Sequence, residues 1–286
     1  MSAQYFVGIG AQRTGTTWLA NYFSHHPQVC FSAIKELHYF DAIYRPDLCS
    51  LYNENHFNNQ LQEIKTKMDL PGLTLEESLQ STCLQYRIKM IEEKEKYKEY
   101  FNSLLKSEHR AFGEITPSYS LLNINGFNAI LNLYPNAKFI FILRNPCDRY
   151  WSHLNLHDDR FEHFSAIEQV INCLDNPQYF LRTDYKRTIT TLRNTINDDN
   201  LLFLFFERLF NTQTLPNELK RITNFLNIDY INPDIKPLNE SKKNPLPVCY
   251  RKRIFQHFRF VYQFVNQIFP NQIPESWLDD LSAFSS

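Results

Sequence analysis

Residues 10–18 read Gly10-Ala11-Gln12-Arg13-Thr14-Gly15-Thr16-Thr17-Trp18, and this stretch decides the fold. A mostly apolar run, 5–9, leads into it, as in a buried parallel strand. Residues 16–24 follow at helical spacing, with Trp18, Leu19, Tyr22 and Phe23 on one side, until His26-Pro27 stops the run. A strand, a turn framed as GxxxxG and a helix make a phosphate-binding loop. Glycine lets the backbone approach an anion, and successive N–H groups at the helix start point at it. The usual ATPase loop continues with Lys and Ser/Thr. Here those positions hold Thr16 and Thr17, and the cation comes earlier, at Arg13. Arg13 can neutralise charge on a transferred group, and the two threonine hydroxyls can donate to phosphate oxygens. A plain strand-to-helix turn without a ligand is the alternative for the loop taken alone.

Further apolar runs lie at 29–31, 111–115, 137–143 (AKFIFIL) and 201–205 (LLFLF). Helical patterns fall at 125–133, 147–156, 179–197, 215–226 and 248–269. Apolar strands alternating with helices predict an α/β three-layer sandwich with a mainly parallel sheet, P-loop nucleoside-triphosphate-hydrolase-like, in a single domain over 1–286. Residues 42–110 differ in texture, being polar and then strongly helical. Over 84–105 the charges alternate (Arg87, Lys89, Glu92, Glu93, Lys94, Glu95, Lys96), which predicts one solvated helix face. This region reads as a helical insertion: a lid or substrate wall, or a plain structural appendage. Residues 237–286 form a basic loop with Lys242 and Lys243, followed by a helix rich in Arg and Phe. That helix suits either contact with a membrane surface or ordinary amphipathic packing.

Composition excludes several classes. With 30 Lys and Arg against 31 Asp and Glu, the net charge of −1 argues against a dedicated nucleic-acid binder. The six cysteines form no CxxC pair and no histidine cluster has zinc-site spacing, so reduced thiols and no metal are expected. The first residues show no basic segment ahead of an apolar run, and the longest apolar run, 201–206, is too short for a bilayer. A cytoplasmic protein without a transmembrane segment is expected.

The string Arg13-Thr14-Gly15-Thr16-Thr17-Trp18 resembles the 5′-phosphosulfate loop of the sulfotransferases that use 3′-phosphoadenylyl sulfate (PAPS). That loop is usually written PKxGTTW, so Arg13 stands for the Lys and Gln12 for the Pro. About 130 residues on, Arg144-Asn145-Pro146-Cys147-Asp148-Arg149-Tyr150-Trp151-Ser152 resembles the family's 3′-phosphate motif, a strand followed by RxPxxRxxS. Arg144 at a strand's carboxyl end and Ser152 two helical turns later suit phosphate binding on physical grounds as well. Surface charges paired with Asp148 or Asp158 are the alternative for Arg144 and Arg149. Leu204-Phe205-Phe206-Glu207-Arg208-Leu209 resembles the family's LxYExL segment, with Phe206 where Tyr is common.

The resemblance implies a donor site of Arg13, Thr14, Gly15, Thr16, Thr17, Trp18, Arg144, Ser152 and Phe206, with Trp18 and Phe206 toward the adenine. It implies PAPS as co-substrate and in-line transfer of its sulfuryl group to a hydroxyl or amine of a carbohydrate or small-molecule acceptor. Lys35-Glu36-Leu37-His38-Tyr39-Phe40-Asp41 is similar to the EExHFFD-type segment of the glycan enzymes and their bacterial relatives. There the Glu is the proposed base, which maps to Glu36, with His38 competing because its ordinary pKa suits neutral pH. His153 and His157 are weaker candidates. Glu114-Ile115-Thr116-Pro117-Ser118-Tyr119 resembles the family's ExTPxY segment, with Ile115 where the glycan enzymes commonly carry Lys. That exchange removes one cation from an anionic acceptor's surroundings. Two other readings are a P-loop kinase or hydrolase acting on ATP or GTP, and a binding module with a degenerate loop. The first wants a lysine where Thr16 stands and a metal-holding Asp where Arg144 stands.

Overall fold

The computed structural model describes residues 3–49, 54–68, 75–155, 172–233 and 245–284. Five strands make one sheet: β1 (Gln4–Gly10), β2 (Val29–Phe31), β3 (Ala111–Ile115), β4 (Lys138–Leu143) and β5 (Leu201–Phe205). Their order is β2-β3-β1-β4-β5 and every pairing is parallel. The chain builds to one side of β1 first and to the other side afterwards. A crevice therefore opens at the carboxyl end of β1, where open α/β sheets hold ligands.

Alternation along the strands builds two cores. Phe6, Ile140, Ile142, Leu202 and Leu204 face a layer formed by α1 (Thr16–Ser24) and, later in the chain, Leu215–Leu226. Tyr5, Val7, Ile9, Phe139 and Phe141 face the opposite layer. That layer holds the insertion helices α2 (Tyr39–Tyr44), α3 (Glu54–Met68), α4 (Leu75–Lys89) and α5 (Lys96–Leu104). It also holds α6 (Ile124–Leu133), α7 (Pro146–Leu154), α8 (Tyr185–Thr195) and, beyond α9 (Leu215–Leu226), α10 (Val248–Ile268) and α11 (Glu275–Phe284). The expected three-layer sandwich with a parallel sheet is present.

Some sequence boundaries change. The single helix expected over 84–105 is broken, because the chain turns between Lys89 and Lys96 and so buries both Met90 and Tyr97 completely. The run 179–197 is broken: a short helix, Pro177–Phe180, ends inside it, and a second helix starts at Tyr185, where Asp184 caps it by accepting from the Arg187 amide. On α10, Ile254, Phe255, Phe258 and Val261 are fully buried, so its apolar side packs in the core rather than on a membrane. Among the described residues no helix is long and apolar enough to cross a membrane. Lys242 and Lys243 lie outside the described residues.

Helix α11, which the sequence pattern did not announce, locks the turn after β4. Asn145 caps α7 by accepting from the Cys147 and Asp148 amides at 3.0 and 3.3 Å. Its amide group donates to Asp280 of α11 at 2.8 Å. Asp280, nearly buried, also accepts two bonds from Arg251 of α10, at 2.5 and 2.9 Å. Arg251 reaches Asp148 with a third donor at 2.8 Å. Asp280→Ala leaves Arg251 and the Asn145 side chain short of a partner. The expected cost is about 3 kcal/mol, read as a lower urea midpoint at unchanged slope.

Candidate active site

The loop between β1 and α1 is held by its own backbone. Arg13 (φ 70) and Gly15 (φ 82) both take the left-handed conformation. A side chain at Gly15 would strike the Phe210 ring, so only glycine fits there. At Gly10 (φ +123) a Cβ would lie 2.5 Å from the Pro117 carbonyl oxygen, which shows how closely the loop approaches the end of β3. Thr14 is fully buried and its hydroxyl donates to the Ala11 carbonyl at 2.6 Å. Its side chain therefore braces the loop instead of facing a ligand. The amide N–H groups of residues 13–17 have no acceptor among the described residues. They form the open start of a helix, which attracts anions.

Two guanidinium groups converge on this loop. Arg144, at the end of β4, donates to the Arg13 carbonyl at 2.8 Å and stacks on the Phe206 ring at 4.3 Å. Arg13 in turn donates from Nε to the Ser152 hydroxyl at 3.2 Å. Arg144 is nearly buried and its Nε finds no partner. Burial, and then the neighbouring Arg144, lower the Arg13 pKa below its ordinary value. Two like charges are thus held together, an arrangement that a bound anion would relieve. Phe206 packs on Phe210 at 4.5 Å beside Gly15. Trp18 is buried, parallel to Tyr22 at 6.1 Å and edge-on to Phe210 at 5.6 Å. Thr16 is nearly buried and Thr17 half-buried. Surface pairing with Asp148 is not seen in the second motif, and Asp158 lies outside the described residues. Arg149 is fully buried, and Asp148 is taken by Arg251.

A second, acidic cluster lies where β2 and β3 end. His38 sits in the left-handed region (φ 49). Its Nδ1 is 2.7 Å from Asp41 and its Nε2 is 3.1 Å from Glu36. Ser118 donates to Asp41 and lies 3.1 Å from the His38 Nδ1. Burial alone would lower the His38 pKa, but hydrogen bonds and charge from Asp41 and Glu36 outweigh it and raise it above the ordinary 6.5. Burial opposes the fall of the Asp41 pKa, yet His38 and Ser118 hold it below the ordinary 3.8. The other oxygen of Glu36 takes no hydrogen bond from a described residue, and the side chain is 31% exposed.

The loop is propped from beneath. Glu114, fully buried, accepts from the Tyr97 and Tyr119 hydroxyls at 2.7 and 2.9 Å, from Thr116 at 2.6 Å and from the Leu37 amide at 3.3 Å. Arg87 of α4 donates to the Leu37 carbonyl, and to the His38 carbonyl at 2.8 Å, while its guanidinium lies 4.2 Å over the Phe57 ring. The alternating charges of 84–105 place Arg87 on a solvated face, whereas it is fully buried. Lys89, Glu92, Glu93, Lys94 and Glu95 are exposed as expected. Arg87's identity as an anchor has no local signal, because its partners are carbonyls some fifty residues away. A cleft of about 500 Å³ opens beside Glu36 and His38, walled by α3 and α4. The insertion therefore forms part of this cleft's lining.

Comparison with known proteins gives this geometry a family. A model of the sulfotransferase family matches residues 6–232. The chain belongs to the sulfotransferase family. Among solved structures, a sulfotransferase from Alicyclobacillus acidocaldarius superposes with a TM-score of 0.63 at 19% identity, over 97% of this chain and 100% of that one. The sulfotransferase domain of the Synechococcus PCC 7002 olefin synthase gives 0.53 at 20% identity, over 80% of this chain and 74% of that one. The sulfotransferase domain from the curacin biosynthetic pathway gives 0.53 at 14% identity, over 100% and 98%. These likenesses show a shared fold. No curated protein matches the sequence. Family membership disfavours the ATP or GTP kinase reading.

Within this sulfotransferase, the second motif folds as expected, with Arg144 at the strand end and Ser152 facing Arg13. Ile115 does not face the cleft. It is buried against Gly8 on the opposite side of the sheet, so the exchange at 115 concerns packing. His153 is buried in α7 against Tyr179, at 4.7 Å. His157 lies outside the described residues. Among the described residues no group of three or more His, Cys, Asp or Glu is placed to hold a metal ion.

The His38–Asp41 contact sets a pH signature. His38's raised pKa makes its contribution to stability complete below 6.5 and lost as pH rises through the raised value. Asp41's lowered pKa makes its share present above 3.8 and lost as pH falls through the lowered value. The stability gap between the native protein and Asp41→Asn should be widest between about pH 4 and pH 6.5 and shrink at alkaline pH, as measured by denaturant unfolding across pH.

Proposed function

We propose that the protein transfers a sulfuryl group from PAPS to a hydroxyl of an acceptor seated in the cleft beside Glu36. One observation carries this reading: a cationic loop and an acidic loop meet across a single short segment. Gly10 abuts Pro117, and the next residue, Ser118, bonds Asp41 and lies against His38. Anion-binding groups and a carboxylate base are thereby set on one rim of the sheet, as transfer between two oxygens needs.

The residues fit the donor. Arg13, Arg144, Ser152 and the free amides of residues 13–17 are donors on a rim where two cations already repel each other. We assign Arg13 and the amides to the 5′-phosphosulfate, Arg144 and Ser152 to the 3′-phosphate, and Phe206 with the edge of Trp18 to the adenine. When bound, PAPS supplies a sulfur–oxygen bond whose cleavage leaves negative charge on the 5′-phosphate. Arg13 and the amides are positioned to stabilise that charge without reorganising.

Glu36 is assigned as the base. His38 faces a carboxylate from each ring nitrogen, which raises its pKa above the ordinary 6.5 and leaves neither nitrogen turned to the acceptor. Glu36 has an oxygen open to the cleft and takes the acceptor proton as the new oxygen–sulfur bond forms. His38 is then a positioning residue, and Arg87 positions it through the loop carbonyls. We assign the protein to the cytoplasm, because all six cysteines are unbridged, as suits a reducing compartment.

Glu36→Gln should lower kcat by about 10²–10⁴-fold while leaving affinity for 3′-phosphoadenosine 5′-phosphate (PAP) intact. Arg144→Ala should weaken PAP binding by about 10- to 100-fold, measured by calorimetry. Binding of ATP–Mg tighter than PAP would sink the donor assignment. Arg87→Met should depress kcat with PAP affinity unchanged, and Arg87→Lys should recover part of the loss. Equal losses in both variants would count against the positioning role.

A further inference from the structure

The cleft walled by the insertion holds about 500 Å³, suited to one small molecule. Its lining divides by chemistry. Ile34, Phe57, Ile64 and Leu84 supply an apolar part. His56, Gln60 and Glu63 stand at i, i+4 and i+7 on α3, which places them on one helix face. His56 and Gln60 are already joined at 2.9 Å. This is a row of neutral and acidic hydrogen-bonding groups beside an apolar floor.

The charges of the lining exclude one broad class of ligand. The lining sets one lysine, Lys35, against two carboxylates, Glu36 and Glu63. His38 is engaged on both ring nitrogens by Asp41 and Glu36. Arg87 is turned to the Leu37 and His38 carbonyls and covered by Phe57. Burial, then His38 and Arg87, lower the His56 pKa below 6.5, which leaves it neutral. Among the described residues, Arg13 and Arg144 meet at the donor loop, whereas the cleft lining carries Lys35 as its one lysine or arginine.

We propose that the acceptor is an uncharged amphiphilic glycoside, whose apolar aglycone packs on Ile34, Ile64 and Leu84 while its sugar hydroxyls meet His56, Gln60 and Glu63, and that anionic glycans are rejected. The role of the cleft rests on the sulfuryl-transfer reading above. Three 4-nitrophenyl β-glycosides test it: the glucoside, the xyloside and the glucuronide, which share an aglycone and differ in charge. Binding to the full-length protein is measured by calorimetry, with and without PAP.

The glucoside and xyloside should bind alike. The glucuronide should bind at least about fivefold more weakly, as expected of a like charge about 4 Å away in a wet site. That gap should narrow in Glu63→Gln and at high salt. The proposal is overturned if the glucuronide binds as well as the glucoside, if Glu63→Gln leaves the gap unchanged, or if no neutral glycoside binds at millimolar concentration to protein that binds PAP. Glycoside binding by a protein that fails to bind PAP would sink the donor reading and leave the cleft assignment standing.

Discussion

The enforced closeness of Arg13 and Arg144 is the constraint around which the rest of this molecule is arranged. Like charges separate unless something holds them, and here the holding is done by backbone geometry and by groups that do not neutralise either charge outright. Arg13 is fixed by its left-handed turn, and Arg144 by its bond to the Arg13 carbonyl and by the Phe206 ring. Behind them Glu207, half-buried and with its pKa raised by desolvation, accepts from the Asn145 amide at 2.7 Å and from Trp277 at 3.2 Å. Three strand ends and a distant helix therefore cooperate to keep a repulsive pair in place. Such preorganisation makes an anion site selective, because the cost of assembling the cations is met by folding.

The acidic side follows a similar plan with opposite sign. Asp41 and Glu114 are both fully buried, and each is surrounded by donors drawn from the insertion and from the segment after β3. Helices α3 to α5 do more than wall a cleft. Tyr97 and Arg87 reach down from them to the loop that carries Glu36 and His38. A segment that looks dispensable by its polar texture is tied to the chemistry by hydrogen bonds to backbone and to a buried carboxylate.

Where the sequence was legible, the information was local. The strands 29–31, 111–115 and 201–205 and the helix 215–226 agree with the structure because apolar period and turn residues report on neighbours a few positions away. The strand-to-helix turns at 10–18 and 144–152 were legible for the same reason, as each is a strand followed by a turn with its cation beside it. What escaped was long-range. Arg87 reads as one more charge in a charged run, and only its carbonyl partners make it an anchor. Ile115 reads as a missing cation, although strand alternation turns it away from the cleft. Nothing in 275–284 advertises that Asp280 completes the turn after β4.

That last contact has a consequence for the order in which the protein matures. During synthesis the sheet has all its strands once β5 has emerged, yet Asn145 and Glu207 lack Asp280 and Trp277 until α11 follows. Until then the turn bearing Arg144 is held without its last partners, and Phe205 of β5 lacks the Trp277 ring that covers it. Helix α11 therefore works as a latch that covers one edge of the sheet and fastens the turn after β4 in the same step.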